Sequence, residues 1–347
     1  MTGPIVAPLT SLAGWRAFVD RSVRPPTLLL PRQWAQLEDD ERTADGDERI
    51  GYHAELLALQ TPDLHKIVTT GRSLLLLNHR QHGARRGLLI SGDPTTGKST
   101  AITALGRAVE LAHRRTRPVA FGSVPVVYLT MPPQATPKSL SIELLKFLGA
   151  PYLTRASQIE LTRQACALLA DLGTELIVVD EIHNLNHHTK VGADASDHLK
   201  YLAENVAATF VYAGIDVTGN GMFTGVRGRQ LAGRFVPILT KPFAYSTIED
   251  RNRWRQLVDG FEQMLRLREQ EPGALTRLSP HLYAQTAGSI SALSMMIRSA
   301  AITAILDGTE HITQADLDAI PLDYAAATAR TTAKKASSRR KNSSGAA

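Results

Sequence analysis

The eight residues Gly92-Asp93-Pro94-Thr95-Thr96-Gly97-Lys98-Ser99 constrain the fold more than any other stretch. They join a short buried-type apolar run, Gly87 to Ser91, to an amphipathic run, Lys98 to Arg115, that carries Ile102, Leu105, Val109 and Ala112 on one face. At a strand-to-helix junction, a Gly-x4-Gly-Lys-Ser loop curls its backbone N–H groups around a phosphate. The helix N-terminus adds the positive end of its dipole. In that setting Lys98 reaches the β and γ phosphates and the Ser99 hydroxyl coordinates magnesium. Gly92 through Thr100 are therefore expected to bind a nucleoside triphosphate, ATP, with Mg2+.

A second element fits the first. Leu176-Ile177-Val178-Val179-Asp180-Glu181 is an apolar strand that ends in two carboxylates. Open α/β sheets bind ligands at the carboxyl ends of their strands. Asp180 is placed to hold the magnesium shell, and Glu181 to polarise an attacking water. The adjacent Glu favours hydrolysis over phosphoryl transfer to a small molecule. His183 and Asn184 follow, either as sensors of the γ-phosphate or as surface residues of a helix start.

The rest of the chain repeats the alternation. Strands are expected over Val124 to Thr130, Thr209 to Ala213 and Phe235 to Leu239, with helices over Ser139 to Leu148, Ser157 to Leu172 and Asp194 to Val206. Strands alternating with helices imply a parallel five-stranded sheet in an α/β fold. Beyond Tyr245 only helical patterns remain, at Ile248 to Arg268, Ser279 to Ala287, Ser289 to Leu306 and Thr313 to Ile320. Upstream, Asp47 to Asn78 reads as helix interrupted at Thr61-Pro62, while residues 1 to about 45 read as irregular, with Pro25-Pro26 and acids at Glu38 to Glu41.

Composition narrows the classes. Cys166 is the single cysteine, which excludes an intramolecular disulfide and a cysteine-based zinc site. No start resembles a signal peptide, and no apolar run is long enough to span a bilayer, so a cytoplasmic setting without a membrane partner is expected. Of the 39 Lys and Arg, six lie between Ala325 and Ala347, where there is no acid, and the remainder balance the 33 acidic residues. The net charge of +6 thus resides in a tail without large apolar residues. Such a tail is a solvated end or a source of salt-sensitive affinity for nucleic acid.

The order of phosphate loop, Asp-Glu strand, further strand and helical C-terminal segment resembles an AAA+ ATPase. Within that group the chain resembles the TniB/TnsC family of transposition regulators, relatives of MuB. The residues that carry the likeness are Asp47-Glu48-Arg49-Ile50-Gly51-Tyr52-His53, the phosphate loop, Tyr128-Leu129-Thr130-Met131-Pro132, Asp180-Glu181-Ile182-His183-Asn184-Leu185 and Gly233-Arg234-Phe235. The resemblance implies nucleotide held between subunits, with an arginine finger supplied by the neighbour. Arg234 matches that position, and Arg227 and Arg229 are rivals. It offers Tyr52 and His53 for the adenine pocket, with packing residues as the equal alternative. Duplex DNA is expected to contact Thr136, Lys138 and the segment His187-His188-Thr189-Lys190. A polar sensor is expected after the fourth strand, where Ala213-Gly214-Ile215-Asp216 offers Asp216, with Thr218 beyond. The lid arginine common in AAA+ proteins is absent from Gly288-Ser289-Ile290-Ser291.

The expected organisation is an irregular segment over 1–45, an AAA+ α/β nucleotide-binding domain with N-terminal helices over 46–245, a helical lid over 246–323 and a basic disordered tail over 324–347. The expected function is ATP-dependent regulation of DNA transposition. The chain would assemble as a ring or helical filament on target DNA and recruit or activate a transposase, with hydrolysis driving disassembly. Another AAA+ role, such as a helicase loader or defence ATPase, and a nucleotide-switch scaffold are the competing expectations.

Overall fold

Local signals account for most of the elements. In the computed structural model, which describes residues 7–55, 58–117, 122–185, 190–217, 219 and 232–321, Ser11 caps α1 (Leu12–Asp20) by accepting from Gly14 N at 3.2 Å. Pro31 opens the short α2 (Pro31–Ala35) at a position where its missing N–H costs nothing. The acids at 39–41 form the first turn of α3 (Asp39–Ala54), where negative charge complements the helix dipole. The expectation of an irregular segment over 1–45 is thus corrected. The prolines lie between helices, and the acidic cluster is a helix start.

The contacts divide the chain into two units: Met1–Arg21 with Pro62–Thr240, and Ser22–Thr61 with the chain from Lys241 onward. These limits differ from the expected ones at 46 and 245, because α3 packs within the helical unit.

The first unit holds five parallel strands in the order β2-β3-β4-β1-β5: β1 (Gly87–Gly92), β2 (Val126–Thr130), β3 (Leu176–Asp180), β4 (Thr209–Gly214) and β5 (Phe235–Thr240). All residues of β3 and β4 are buried, as a continuous apolar run in a covered parallel strand requires. Around the sheet lie α4 (Pro62–Asn78), α5 (Lys98–Thr116), α6 (Pro137–Phe147), α7 (Gln158–Asp171) and α8 (Lys190–Asn205). Asn78 ties the end of α4 to the sheet: its amide nitrogen donates to Arg86 O (2.7 Å) and Thr209 Oγ1 (2.9 Å).

The second unit is helical: α9 (Ile248–Gln263), α10 (Ala274–Arg277), α11 (Ser279–Thr286), α12 (Ile290–Leu306) and α13 (Gln314–Ala319) join α2 and α3. Its core gathers Ile50, Trp254, Val258, Leu282, Met296 and Ala301. Arg49, 1% exposed, is fully engaged there. Its Nε donates to Asp45 (2.7 Å) and its two terminal nitrogens to Glu310 (2.8 and 2.9 Å). Arg268 joins the same two acids and lies 3.2 Å from the centre of the Trp34 ring. A buried guanidinium needs such paired acceptors, and these come from both ends of the unit. Among the described residues no single helix is long and apolar enough to cross a membrane.

Candidate functional site

The phosphate loop is shaped by three tight positions. Gly97 takes a left-handed conformation (φ 84°) at the head of α5, and Thr95 does so before it (φ 64°). At Gly92 a Cβ would lie 2.2 Å from both the carbonyl and hydroxyl oxygens of Thr240, so only glycine fits where β1 leaves the sheet beside β5. The Thr96 hydroxyl bonds Asp93 O and the Thr240 hydroxyl, each at 2.9 Å. Lys98 heads α5 and is 8% exposed, with its ammonium donating to Gly92 O (3.0 Å) and Asp93 O (2.6 Å). Burial lowers its pKa below lysine's usual value, against the opposing pull of Asp180, Glu181 and Asp93. Those carboxylates favour the charged form, which is the one that meets a phosphate.

The fold brings the two sequence motifs together. Ser99 Oγ donates to Asp180 Oδ2 at 2.7 Å. The same carboxylate oxygen accepts from the Tyr128 hydroxyl at 2.9 Å, while Oδ1 accepts from Glu181 N at 2.9 Å. Ser99 and Asp180 form an all-oxygen pair at the mouth of the loop, the donor type that magnesium prefers. Among the described residues no cluster of three His, Cys, Asp or Glu has metal-site spacing. Such a cluster is not needed where phosphates and water complete the shell.

Glu181 takes a left-handed conformation (φ 55°) directly after β3. Its Oε2 lies 3.2 Å from His183 Nε2. His183 Nδ1 accepts from Ile215 N at 3.2 Å, so a neutral imidazole carries its proton on Nε2, the nitrogen nearer the Glu181 carboxylate. His183 thereby stands between the carboxylate and the end of β4. Asn184 is otherwise engaged, donating to Met131 O at 2.9 Å. Asp216, the sensor candidate, is exposed and left-handed (φ 42°) beyond β4. Thr218 lies outside the described residues.

Arg234 sits at the opposite end of the sheet. Its carbonyl accepts from Gly87 N at the start of β1, and its guanidinium pairs with Glu204 of α8 at 2.9 Å. The length of β1, about 17 Å, separates that point from Gly92. Arg227 and Arg229 lie outside the described residues. Of the DNA candidates, Thr136 caps α6 by accepting from Ser139 N (3.0 Å), and Lys138 donates to Thr154 O (2.8 Å). Lys190 begins α8, whose first side chains are not among those described. His187, His188 and Thr189, and the basic tail, lie outside the described residues.

Tyr52 and His53 belong to the helical unit. There they line a pocket with Phe261, Met264, Ile297 and Arg298. His53 Nε2 accepts from Arg266 N at 3.2 Å, while Arg298 caps the end of α3 by donating from Nε to His53 O (2.8 Å). Burial, with Arg266, Arg49 and Arg298 nearby, pushes the His53 pKa down to about 4 from 6.5. Between those values an unfolded chain takes up a proton that the folded unit refuses. Stability present above pH 6.5 is therefore lost as pH falls towards 4. Urea unfolding across that window should show this slope in the wild type and a flatter one in His53→Gln. Equal slopes would discount His53 as the cause.

Tyr128, Thr240 and the position of His183 between Glu181 and β4 carry no local signal in the sequence. Strand alternation puts Tyr128 on the Asp180 face only once β2 is known to pair with β3, Tyr128 opposite Val178.

The sequence matches the family model described as "Bacterial TniB protein" over residues 55–245, more than half of the chain. No curated protein matches it. Among solved structures it is similar to the Aeropyrum pernix ORC1 protein in complex with DNA (17% identity, TM-score 0.55, covering 80% of this chain and 66% of that one). The Aeropyrum pernix ORC2 protein in its ADPNP-ADP complexes is likewise similar (13%, TM-score 0.56, 75% and 67%), as is Drosophila ORC bound to DNA (14%, TM-score 0.51, 87% and 70%). The chain spans about two thirds of the length of the Aeropyrum proteins. At these identities the likeness is one of fold.

Proposed function

The chain belongs to the TniB family of bacterial proteins and is an AAA+ ATPase, and on that footing we propose that it assembles with ATP on duplex DNA and regulates transposition. In this reading it recruits or activates a transposase at the marked target, and hydrolysis dismantles the assembly. The observation that carries hydrolysis is the 2.7 Å bond from Ser99 to Asp180, with Glu181 next in the chain. The backbone from Gly92 to Thr100 and the Lys98 ammonium hold the ATP phosphates. Ser99 and Asp180 hold Mg2+, which when bound neutralises charge on the β and γ phosphate oxygens. Glu181 accepts a proton from the attacking water, with His183 Nε2 beside its carboxylate at 3.2 Å.

Assembly is supported by the position of Arg234. It lies a strand's length from its own phosphate loop, so if it touches a γ-phosphate, that phosphate belongs to a neighbouring subunit in a ring or filament. The DNA component is supported by family membership and by two fold relatives solved with DNA. Thr136, Lys138 and Lys190 are the proposed contacts, acting on the phosphate backbone without reading sequence.

The test is ATP-dependent binding to duplex DNA. Wild type should bind at least about tenfold more tightly with ATP than without, and Lys98→Ala should lose that difference because the phosphates lose their cationic partner. Fluorescence anisotropy on labelled duplex reads both. Identical isotherms for the two proteins, with and without ATP, would sink the proposal.

A further inference from the structure

The carboxylate at the head of the site is held by a partner from another strand and, through it, by the N-terminal helix. Tyr128 lies on β2, 6% exposed, and its hydroxyl donates to Asp180 Oδ2 at 2.9 Å, the oxygen that also receives the Ser99 hydroxyl. The ring has little freedom. Trp15 of α1, wholly buried, stacks on it with ring centres 6.1 Å apart and planes 8° from parallel. Trp15 is held in turn, because its indole N–H donates to Glu110 Oε2 at 3.3 Å. It lies against Gly106 of α5, where any Cβ would come within 2.6 Å of the indole. A chain of contacts therefore runs from α1 through two stacked rings to one oxygen of Asp180.

We infer that Tyr128 is a positioning residue for magnesium, fixing the orientation of the Asp180 carboxylate with Trp15 as its backing. This rests on reading Asp180 as part of the magnesium shell. A carboxylate that ligates a metal must present a lone pair in a fixed direction. A donor on one oxygen sets the rotation of the group, and the backbone N–H of Glu181 on the other oxygen completes the clamp. Tyr128 suits the role because it is a neutral donor that adds no competing charge. Helix α1, far from the loop in sequence, thereby supports the geometry of the metal site.

Mn2+ binding followed by electron paramagnetic resonance, on the full chain with the slowly hydrolysed analogue ATPγS, tests this without relying on turnover. Tyr128→Phe keeps the ring and its stacking and removes only the hydroxyl. It should weaken Mn2+ binding by about tenfold, leave ATPγS affinity in EDTA unchanged and leave the thermal midpoint near that of wild type. Asp180→Asn is the control and should lose Mn2+ affinity by more. If Asp180→Asn loses the metal and Tyr128→Phe stays within about twofold of wild type, the positioning role is overturned and the metal-shell reading stands. If Tyr128→Phe loses metal and metal-free nucleotide affinity equally, the positioning role is again overturned, in favour of a general distortion. If Asp180→Asn binds Mn2+ as wild type does, the reading of Asp180 fails and the inference with it.

Discussion

Glu181→Gln is expected to slow ATP hydrolysis by about a hundred- to ten-thousandfold while nucleotide binding stays near wild type. That is the range a positioned general base contributes, and the amide keeps the size of the side chain but cannot take a proton from water. The way the group is held strengthens this expectation. Glu181 is left-handed at the end of a wholly buried strand, its backbone N–H bound to Asp180 and its carboxylate 3.2 Å from His183 Nε2. Nothing in these contacts depends on the carboxylate's charge for the fold, since Glu181 is 43% exposed in its side chain. Phosphate release and a fluorescent-nucleotide titration, measured side by side, separate the two effects. A variant that turns over ATP at the wild-type rate removes Glu181 from the chemistry and favours a nucleotide switch that another group fires.

Arg234→Ala should have an effect of similar or greater size, about a thousandfold or more in hydrolysis by the assembled protein, because an arginine that meets the transferring phosphoryl group contributes on that scale. The geometry makes the prediction specific to assemblies. Arg234 stands at the N-terminal edge of the sheet, beside the start of β1, and Gly92 stands at the other edge. An isolated subunit should therefore hydrolyse ATP at the same low rate with or without the arginine. Mixing supplies the decisive arm. Arg234→Ala keeps a sound phosphate loop, and Lys98→Ala keeps a sound finger, so a mixture of the two inactive proteins should regain part of the activity on DNA. If the mixture stays inactive while each variant still joins assemblies, the arginine does not act across a subunit boundary. The pairing of Arg234 with Glu204 adds a detail: the guanidinium is held at 2.9 Å by an acid of its own chain, with both side chains partly exposed. A surface pair of this kind is worth little in stability. Losing it should not unfold Arg234→Ala, and the kinetic readings remain interpretable.

Much of the site is legible in the sequence because its parts are local. The loop from Gly92 to Ser99 announces itself by residue type and by its place between an apolar run and an amphipathic one. β3 announces itself in the same way, since a strand covered on both faces must be apolar throughout, and the first polar residues after it mark the open end of the sheet. The capping box at Ser157 and Glu160 is present as the pattern predicts, with Ser157 Oγ accepting from Glu160 N at 3.3 Å. The N-terminal segment differs because its local signal is ambiguous. The acids of 39–41 suit a solvated loop and a helix N-terminus equally well, and only the packing of α3 within the helical unit decides between them.

Residue type and local pattern are enough to propose the chemistry, a phosphate-binding loop with Asp180 as an oxygen ligand beside it and Glu181 as a base one residue on, and to expect the parallel sheet that carries them. These follow from backbone freedom at glycine, side-chain type and hydrophobic period, all of which act over a few residues. Which groups support that chemistry emerges only from the packed fold. Tyr128 meets Asp180 across 52 residues, Thr240 meets Thr96 across 144, and Arg49 meets Glu310 across 261. A hydrogen bond carries no mark in the sequence of which distant residue will answer it. Its direction and short range require that the strands already be paired, in the order β2-β3-β4-β1-β5, and the helices packed.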